Sequence, residues 1–399
     1  TEDMVHWQEC KAALAPDEEY DKEGCFSGSA LETEEGHVLL YTGVSKDKNS
    51  GAERQNQCIA IGDGLEYKKT ANCPVITGDM MPQGFSRVDF RDPKAWKEGD
   101  RYYLVAGNRD EHGNGQIVLF SSMDLYNWAY EGVLAHNGGE VGSMWECPDL
   151  FCLDGQLCLV CCPQGVKPMG TEYQNVHQCT VFCLDYDFRE NTCKLKSQLP
   201  GMVDRGFDFY APQTFLDEKG RRILIGWMGI PDADYTNPTV NAGWQHALTM
   251  PRQLHMREGR LLQQPLEEMR ELRRDRRDYD FEELAKGVEP GLVFEGRISF
   301  VTCHDMCLTV RGDVTLSYEN GLLTLDMGTC GSGRTRRSVP LERLTDLHIF
   351  SDTTSLEIFV NEGREVFTTR VYGSHPGMRM EGDCSGNGIV YGLNGFIYE

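Results

Sequence analysis

The chain alternates short runs of aliphatic and aromatic residues with turn-forming glycines, a pattern that predicts β-hairpins rather than helices. Four of these runs share one form, in which a glycine directly precedes or opens an apolar strand. They are Gly36–Gly43, Gly99–Gly107, Gly155–Cys162 and Gly220–Trp227. The four glycines recur at intervals of about sixty residues, which suits the four-stranded blades of a β-propeller with long loops. The pattern therefore predicts an all-β fold that contains a propeller.

A distinctive polar segment lies shortly before each of these glycines. The segments are Phe26–Ala30, Arg91–Pro93, Glu146–Asp149 and Phe209–Gln213. Because the first strand of each propeller blade lines the central channel, the four segments are expected to converge on one axial pocket. The sequence thus predicts a binding or catalytic site built from residues that are distant along the chain.

One carboxylate in these segments, Glu146, stands among apolar residues that include Trp145 and Pro148. An apolar setting suits a general acid. A buried Glu that is paired with an Arg gives the same sequence pattern. Taken alone, the segment leaves both interpretations open.

A second repeat concerns the beginning of the chain. Asp3–Trp7 and Asp124–Trp128 share the spacing of Asp and Trp, and each is followed by a Leu-Ala pair. Since Asp124–Trp128 falls in the outer part of its predicted blade, the chain is expected to open in the outer part of a first blade whose inner strands it does not contain. We therefore predict a five-bladed β-propeller with an incomplete first blade.

The last hundred residues show short strands with period-two alternation, such as Glu365–Tyr372, and a hairpin turn signal at Asn361–Gly363. This pattern predicts a C-terminal β-sandwich. The expected domains are the propeller at 1–255, a linker with a short helix at 256–289 and the sandwich at 290–399.

Arginine-rich stretches occur in the linker and in the sandwich. The linker stretch contains Arg270, Arg273, Arg274, Arg276 and Arg277, interleaved with acidic residues. This mixture favours a solvated helix, beginning near Leu266, over an anion-binding site. The sandwich stretch, Arg334–Arg337, is likewise interpreted as a solvated loop.

Charge and hydropathy limit the classes of binding partner that are expected for this chain. Asp and Glu number 62 against 39 Lys and Arg, for a formal net charge of −23. Such a chain repels nucleic acids and anionic membranes, so neither is expected as a partner. A neutral sugar is compatible, whereas a phosphorylated sugar needs a local basic pocket. No apolar run reaches the roughly 18 residues of a membrane span. No signal peptide is recognised, and the initial Thr-Glu-Asp suggests that the true start lies upstream.

The 16 cysteines lie in strand-like runs, among them Gln156–Cys162. Free cysteines behave as small buried hydrophobes, and a chain of this size needs no disulfides, so a reducing cytoplasm is expected. Cys158 and Cys161 have the spacing of a metal-binding pair, but no second pair follows at ligand spacing. They are interpreted as core residues, and neither a metal nor a cofactor is predicted.

Taken together, the motifs resemble glycoside hydrolase family 32, which holds invertases, fructanases and sucrose-6-phosphate hydrolases. The resemblance rests on Phe26–Ala30, Arg91–Pro93 and Trp145–Asp149 in this order and spacing. Three further segments add to it, namely Phe209–Gln213, Ile225–Met228 and Pro251–Leu254. It extends over essentially the whole chain, including the C-terminal sandwich.

The resemblance implies roles for particular residues. Glu146 would be the general acid/base, and Asp92 would stabilise the transition state by binding hydroxyls of the fructosyl ring. Arg91 stands beside Asp92. The expected substrate-binding residues are Phe26, Ser27, Arg91, Cys147, Tyr210 and Trp227. Asp149 and Asp208 are interpreted as supports that orient their neighbours.

One departure from the family pattern is serious. The family's nucleophile is the Asp of an Asn-Asp-Pro-Asn-Gly segment at the start of the first blade, and residues 1–399 contain no such segment. Retaining hydrolysis requires one carboxyl group to attack carbon. The nucleophile is therefore expected to be absent from this chain, which would be inactive or impaired by itself.

Two functions follow as hypotheses. The first is a retaining glycoside hydrolase that acts on sucrose, sucrose 6-phosphate or short fructans, with transfer to another sugar also open. The alternative is a non-catalytic carbohydrate-binding or regulatory protein. An incomplete first blade would also leave an open sheet edge, through which self-association is expected.

Overall fold

The computed structural model describes residues 1–187 and 192–398, which form almost entirely β structure. The chain divides into two compact units. The three-blade unit comprises Glu9–Lys167 and His177–Gly201, and the sandwich unit comprises Thr1–Gln8, Pro168–Val176 and Met202–Glu399. Strand β1 (His6–Trp7) belongs to the sandwich unit and is described with it.

The three-blade unit contains three antiparallel sheets, each with four consecutive strands in sequential order. The first sheet has β2 (Gly24–Thr33), β3 (Gly36–Lys46), β4 (Glu53–Gly62) and β5 (Tyr67–Lys69). The second has β6 (Phe90–Glu98), β7 (Arg101–Arg109), β8 (Gly115–Ser122) and β9 (Trp128–His136). The third has β10 (Trp145–Leu153), β11 (Gln156–Pro163), β12 (Thr180–Asp187) and β13 (Thr192–Leu195). A short strand, β14 (Gly201–Met202), follows.

The predicted hairpins are confirmed. Gly36, Gly99 and Gly155 lie in the turns between the first and second strands of the three sheets, with φ values of 124°, 60° and 81°. Side chains at alternate positions pack between neighbouring sheets, and Val38, Phe90 and Phe120 are fully buried in the core cluster of the first two. This packing fixes the first strands β2 and β6 relative to each other.

The sandwich unit begins with a fourth four-stranded antiparallel sheet, whose first turn contains Gly220 at a φ of 75°. Its strands are β15 (Tyr210–Leu216), β16 (Arg222–Trp227), β17 (Arg252–Arg257) and β18 (Arg260–Pro265). Two further sheets enclose an apolar core that includes Phe294, Leu316 and Ile349. The predicted fold class, an all-β propeller followed by a β-sandwich, is confirmed, and the described residues contain four complete blade sheets.

The six-stranded sheet of the sandwich has the order β19-β29-β20-β25-β26-β27, and the five-stranded sheet has the order β24-β23-β22-β21-β28. Their strands are β19 (Arg273–Asp280), β20 (Phe294–Cys303), β21 (Met306–Val310), β22 (Val314–Glu319), β23 (Leu322–Asp326), β24 (Arg336–Pro340), β25 (Asp346–Asp352), β26 (Ser355–Val360), β27 (Glu365–Arg370), β28 (Met378–Glu381) and β29 (Cys384–Leu393). The remaining strand, β30 (Ile397–Tyr398), pairs in parallel with β1.

Helical structure is sparse in the described residues. The one α-helix there, α1 (Phe281–Lys286), begins at a capping box in which Asp280 and Glu283 each bind the other's backbone N–H. Three 3₁₀ helices cover Gly78–Met80, Pro238–Ala242 and Glu267–Leu272. Among the described residues, no helix has the length and apolar character needed to cross a bilayer.

The segment predicted as a linker is more ordered than expected. Residues 260–265 form strand β18 of the fourth blade sheet, and Glu267–Leu272 is a 3₁₀ helix rather than the predicted α-helix. The arginines from Arg273 onward lie in β19, where backbone pairing with β29 overrides the helix-like charge pattern. The domain boundaries themselves stay a prediction.

The interpretation of Arg334–Arg337 as a solvated loop is wrong, because Arg336 and Arg337 lie in strand β24 and Arg334 is buried. Arg334 is fully buried, and its Nε and Nη2 atoms donate to the two carboxylate oxygens of Asp208 at 2.6 and 2.7 Å. The Tyr235 ring lies 4.1 Å from the guanidinium carbon. Asp208 therefore supports a buried ion pair, which a charge run in the sequence does not reveal.

The second repeat also appears in the local structure. Asp3 and Asp124 each accept hydrogen bonds from the two backbone N–H groups found two and three residues later. The next residues, Met4 and Leu125, have φ values of 63° and 66°, and each accepts a hydrogen bond at its carbonyl from the following Trp indole. Equivalent sequence thus produces the same turn in both places.

Candidate active site

The first strands of two neighbouring blades share an irregularity. In β6 the Asp92-Pro93 pair, and in β10 the Cys147-Pro148 pair, contain one residue more than the partner strand opposite them. Proline lacks the N–H needed to continue the ladder, and such a bulge redirects the adjacent side chains. Asp92 and Cys147 have φ values of 64° and 50°, a conformation that costs on the order of 1–3 kcal/mol and concentrates at functional sites.

The sandwich unit repeats this device in its own blade sheet. Strand β15 has one extra residue between Tyr210 and Gln213, and Ala211, which also precedes a proline, has a φ of 47°. Three X-Pro bulges at corresponding positions are therefore a property of the repeat, and the residue before each one, such as Tyr210, holds the same place in its blade.

An ion pair joins the two bulges of the three-blade unit. Arg91 donates to Oε1 of Glu146 from both Nε, at 2.9 Å, and Nη2, at 2.7 Å. The other carboxylate oxygen, Oε2, accepts a hydrogen bond from Gln164 at 2.8 Å. Arg91 is in turn held by Gln55 and Asp89. Glu146 is thus oriented by three N–H donors, and its carboxylate lies in a polar setting rather than in the apolar one that its sequence neighbours indicate.

Asp92 lies in the same bulge as Arg91 but is more deeply buried, with 6% of its surface exposed. Its Oδ2 accepts the backbone N–H of Cys147 at 2.8 Å, and its own N–H donates to Thr42 Oγ1 at 2.9 Å. Burial raises the pKa of Asp92 to about 6; the Cys147 N–H opposes this rise, and the charge of Glu146 adds to it. Asp92 is therefore a carboxylate that titrates close to neutral pH.

The Cys147 side chain does not line an open pocket. It is buried, and a hydrogen bond with Cys162, together with burial, raises the pKa of its thiol well above the usual range. The backbone N–H of Cys147 therefore binds Asp92, whereas its thiol packs against the second strand of its own sheet.

Polar contacts also tie the three first strands to one another. Ser29 of β2 donates to the carbonyl of Pro93 at 2.8 Å and accepts the N–H of Ala95 at 3.1 Å. Lys94 of β6 forms an ion pair of 3.2 Å with the buried Asp149 of β10. These contacts hold the bulges in place, consistent with the supporting role predicted for Asp149.

The remaining predicted site residues are distributed over both units. Phe26 and Ser27 lie on β2 of the three-blade unit, where both are exposed. Tyr210 and Trp227 pair across β15 and β16 in the sandwich unit, and Trp227 Nε1 donates to His246 at 3.2 Å. The structure brings Arg91, Asp92, Glu146 and the Cys147 backbone into one hydrogen-bonded group, whereas the roles of the other four residues stay predictions.

Four polar residues of this site were missed by the sequence analysis. Gln164 binds Glu146, Gln55 binds Arg91, and Thr42 and Gln57 form a chain that ends on the carbonyl of Phe90. Gln164 directly follows β11, the strand that pairs with the Glu146 segment. This position in the sequence could have indicated its contact with Glu146. The other three come from the neighbouring blade, so only the packing of two blades reveals them.

A group of three possible metal ligands lies elsewhere, in the sandwich unit. Asp3, His6 and Glu271 bring one ligand atom each within 4.8 Å of the others, and His6 and Glu271 are exposed. Asp3 already binds His6 at 2.7 Å and caps the local turn, so this geometry has a structural explanation and does not indicate a metal centre.

Asp92 and Glu146 thus place two carboxylates on the first strands of adjacent blades, one of them buried and the other oriented by Arg91. Comparison with protein families gives the class of protein. The chain matches the N-terminal domain of the glycosyl hydrolases family 32 over residues 1–265 and the C-terminal domain of that family over residues 291–387. The chain belongs to glycosyl hydrolase family 32.

Individual relatives agree with this assignment. The sucrose-6-phosphate hydrolase of Bacillus subtilis (strain 168) is 37% identical over 388 residues, which cover 93% of this chain and 79% of the relative. A sucrose-6-phosphate hydrolase structure from Lactobacillus gasseri superposes with a TM-score of 0.90 at 27% identity, covering 99% of this chain and 83% of the other. A β-fructofuranosidase of Bombyx mori gives 0.86 at 29% identity, covering 99% and 83%.

Proposed function

We propose that this chain carries the acid/base and charge-stabilising carboxylates of a retaining β-fructofuranosidase, with sucrose 6-phosphate or sucrose as substrate. The observation that carries the proposal is the Arg91–Glu146 ion pair beside the buried Asp92, in the segments that resemble family 32. The names of the B. subtilis and L. gasseri relatives favour the phosphorylated disaccharide. Because the named relatives are hydrolases, a purely carbohydrate-binding role is not favoured.

In the first half of the reaction, Glu146 donates a proton to the glycosidic oxygen as the bond from that oxygen to the fructosyl carbon breaks. In a retaining enzyme of this family, the Asp of the Asn-Asp-Pro-Asn-Gly segment, which residues 1–399 do not contain, attacks the same carbon and forms the fructosyl-enzyme. Positive charge develops on the sugar ring in the transition state, and an ionised Asp92 stabilises it electrostatically.

In the second half, Glu146 takes a proton from water, whose oxygen attacks the fructosyl carbon and releases the attacking carboxylate together with fructose. Arg91 and Gln164 keep the Glu146 carboxylate in one orientation during both halves, because each of its oxygens is bound by a separate side chain. This positioning reduces the reorganisation needed before each proton transfer.

The proposal also includes the cellular compartment, which we infer from the cysteines. All sixteen cysteines are free thiols, and six of them, including Cys147 and Cys162, are buried. A chain with so many thiols and no disulfide suits the reducing cytoplasm, where a phosphorylated sugar would also be met. Self-association through a sheet edge stays a prediction.

The test uses azide as an external nucleophile, since residues 1–399 contain no Asn-Asp-Pro-Asn-Gly segment. With sucrose and azide, the azide nitrogen should attack the fructosyl carbon while Glu146 protonates the departing glucose oxygen. The products are glucose and a fructosyl azide of inverted configuration. We expect Glu146→Gln to lower this rate by about 10²-fold or more without changing the affinity for fructose.

The same assay can also contradict the proposed function. If the unsubstituted chain bound neither fructose nor sucrose and formed no fructosyl azide, the proposed function would be wrong. Equal rates for the unsubstituted chain and Glu146→Gln would remove the acid/base role from Glu146 while leaving sugar binding intact.

A further inference from the structure

The sandwich unit contains a cavity of about 680 Å³ that includes none of the candidate active-site residues. One wall consists of β17, β18 and the 3₁₀ helix Glu267–Leu272, and the other is the outer face of the six-stranded sheet. Its volume lies within the range of pockets that bind small molecules.

Strand alternation explains why this sheet face is polar. Phe294 and Ile298 of β20 point into the sandwich core, so Glu295 and Arg297 between them point the other way, toward the cavity. Across the sheet, Arg297 pairs with His348 of β25. Charged residues usually face solvent, so their position opposite another layer of protein requires a functional or structural explanation.

The carboxylates of the lining are already engaged. Glu295 accepts two hydrogen bonds of 2.6 Å from Arg273 and one of 2.6 Å from His348. Although Glu295 is buried, these hydrogen bonds lower its pKa to about 2. Of the others, Glu362 pairs with Arg257, and Glu267 lies 3.5 Å from Arg221.

The fourth carboxylate, Asp346, accepts hydrogen bonds from the Thr345 hydroxyl and the Glu362 backbone. Two guanidinium groups of the lining differ from these engaged groups. Within residues 1–187 and 192–398, neither Arg270 nor Arg297 forms an ion pair or a side-chain hydrogen bond, although both are exposed at the cavity. Both guanidinium groups therefore keep their N–H donors available to an anionic group of a ligand.

The rest of the lining suits a polyhydroxylated ligand. Gln253 and Gln264 face each other across β17 and β18, and their amide groups supply both donors and acceptors. Arginine matches the geometry of a phosphate group through its planar set of donors. We propose that this cavity binds a phosphorylated monosaccharide, with Arg270 and Arg297 on the phosphate and the two glutamines on sugar hydroxyls. Arg270 is one of the linker arginines interpreted as solvated, and its side chain is exposed.

Calorimetric titration with glucose 6-phosphate tests this proposal, with glucose and inorganic phosphate as comparison ligands. The double variant Arg270→Gln/Arg297→Gln should bind glucose 6-phosphate at least tenfold more weakly. The matched control is Arg274→Gln/Arg276→Gln, which alters two exposed arginines of β19 that pair with Asp275 and Asp278. The control should bind like the unsubstituted chain, and circular dichroism should show that both double variants are folded.

A further experiment distinguishes binding in the cavity from binding at the candidate active site. Saturating fructose, or the Arg91→Lys change, should leave the affinity of the cavity for glucose 6-phosphate unchanged. The proposal is overturned if the unsubstituted chain does not bind glucose 6-phosphate or if the double variant binds it equally well. Equal affinity for glucose or for inorganic phosphate would likewise overturn it, since the site would then recognise only half of the ligand.

Discussion

Arg91 donates two hydrogen bonds to a single oxygen of Glu146, Oε1, and leaves the other oxygen, Oε2, to Gln164. The contact joins the first strands of two adjacent blades at the residues that directly precede their bulges. A substrate oxygen that approaches Glu146 therefore meets a carboxylate whose orientation is set from both sides.

Arg91→Lys should lower the rate of fructosyl azide formation by about 10²-fold, because one ammonium group cannot supply the two parallel donors that orient Glu146. The affinity for fructose should change little, since the lysine preserves the charge. Initial rates and fructose titrations measure the two effects separately. Arg101→Lys, an exposed change in the same blade sheet, is the control and should keep its rate. A rate for Arg91→Lys within twofold of the unsubstituted chain would contradict the positioning role.

Asp92→Asn tests the cost of a buried charge. Burial raises the Asp92 pKa from 3.8 to about 6, so its stabilising contribution is fully present below pH 3.8 and is lost as the pH rises through 6. Asparagine still accepts the Cys147 N–H but carries no charge. We therefore expect the free energy of unfolding of the variant, relative to the unsubstituted chain, to rise by about 2.5 kcal/mol between pH 4 and pH 7.5.

Urea unfolding at the two pH values measures this difference. The control is Asp100→Asn, which removes an exposed carboxylate from the turn between β6 and β7. A constant difference between Asp92→Asn and the unsubstituted chain would mean that Asp92 ionises normally. The variant should also lose fructosyl transfer, because it removes the charge that stabilises the transition state.

Gly107→Ala tests how closely two blades approach. Gly107 pairs with Arg91, and a Cβ added at Gly107 would lie 2.3 Å from the carbonyl oxygen of Trp145. The backbone that carries Glu146 would have to move, at a cost of about 1–3 kcal/mol in the free energy of unfolding. Gly201→Ala is the control, since its Cβ would meet only ordinary contacts from 3.5 Å. Equal stability of the two variants would show that the backbone of the neighbouring blade moves at little cost in free energy.

The sequence predicted those features that are encoded locally. Gly36, Gly99 and Gly155 occupy turns that need a positive φ, whereas the bulges at the X-Pro segments of β6 and β10 were not predicted. The partners of the site residues were not predictable, because Thr42 and Gln55 reach Asp92 and Arg91 from another blade. Hydrogen bonds of that kind depend on how the sheets pack, which no periodicity in the sequence specifies.

The same limit explains Arg334, whose charge-rich segment indicated solvent exposure although the residue is buried against Asp208. Arg334→Leu leaves the Asp208 carboxylate without its bidentate partner, and we expect a loss of about 3–5 kcal/mol in the free energy of unfolding. Adding Asp208→Asn should recover part of that loss, because the double variant has no unpaired charge. Arg336→Leu, which breaks an exposed pair with Asp326, should cost less than about 1 kcal/mol. Chemical unfolding of the unsubstituted chain, Arg334→Leu, Asp208→Asn and the double variant gives the coupling energy between Arg334 and Asp208. A value near zero would show that the two charges are stabilised independently.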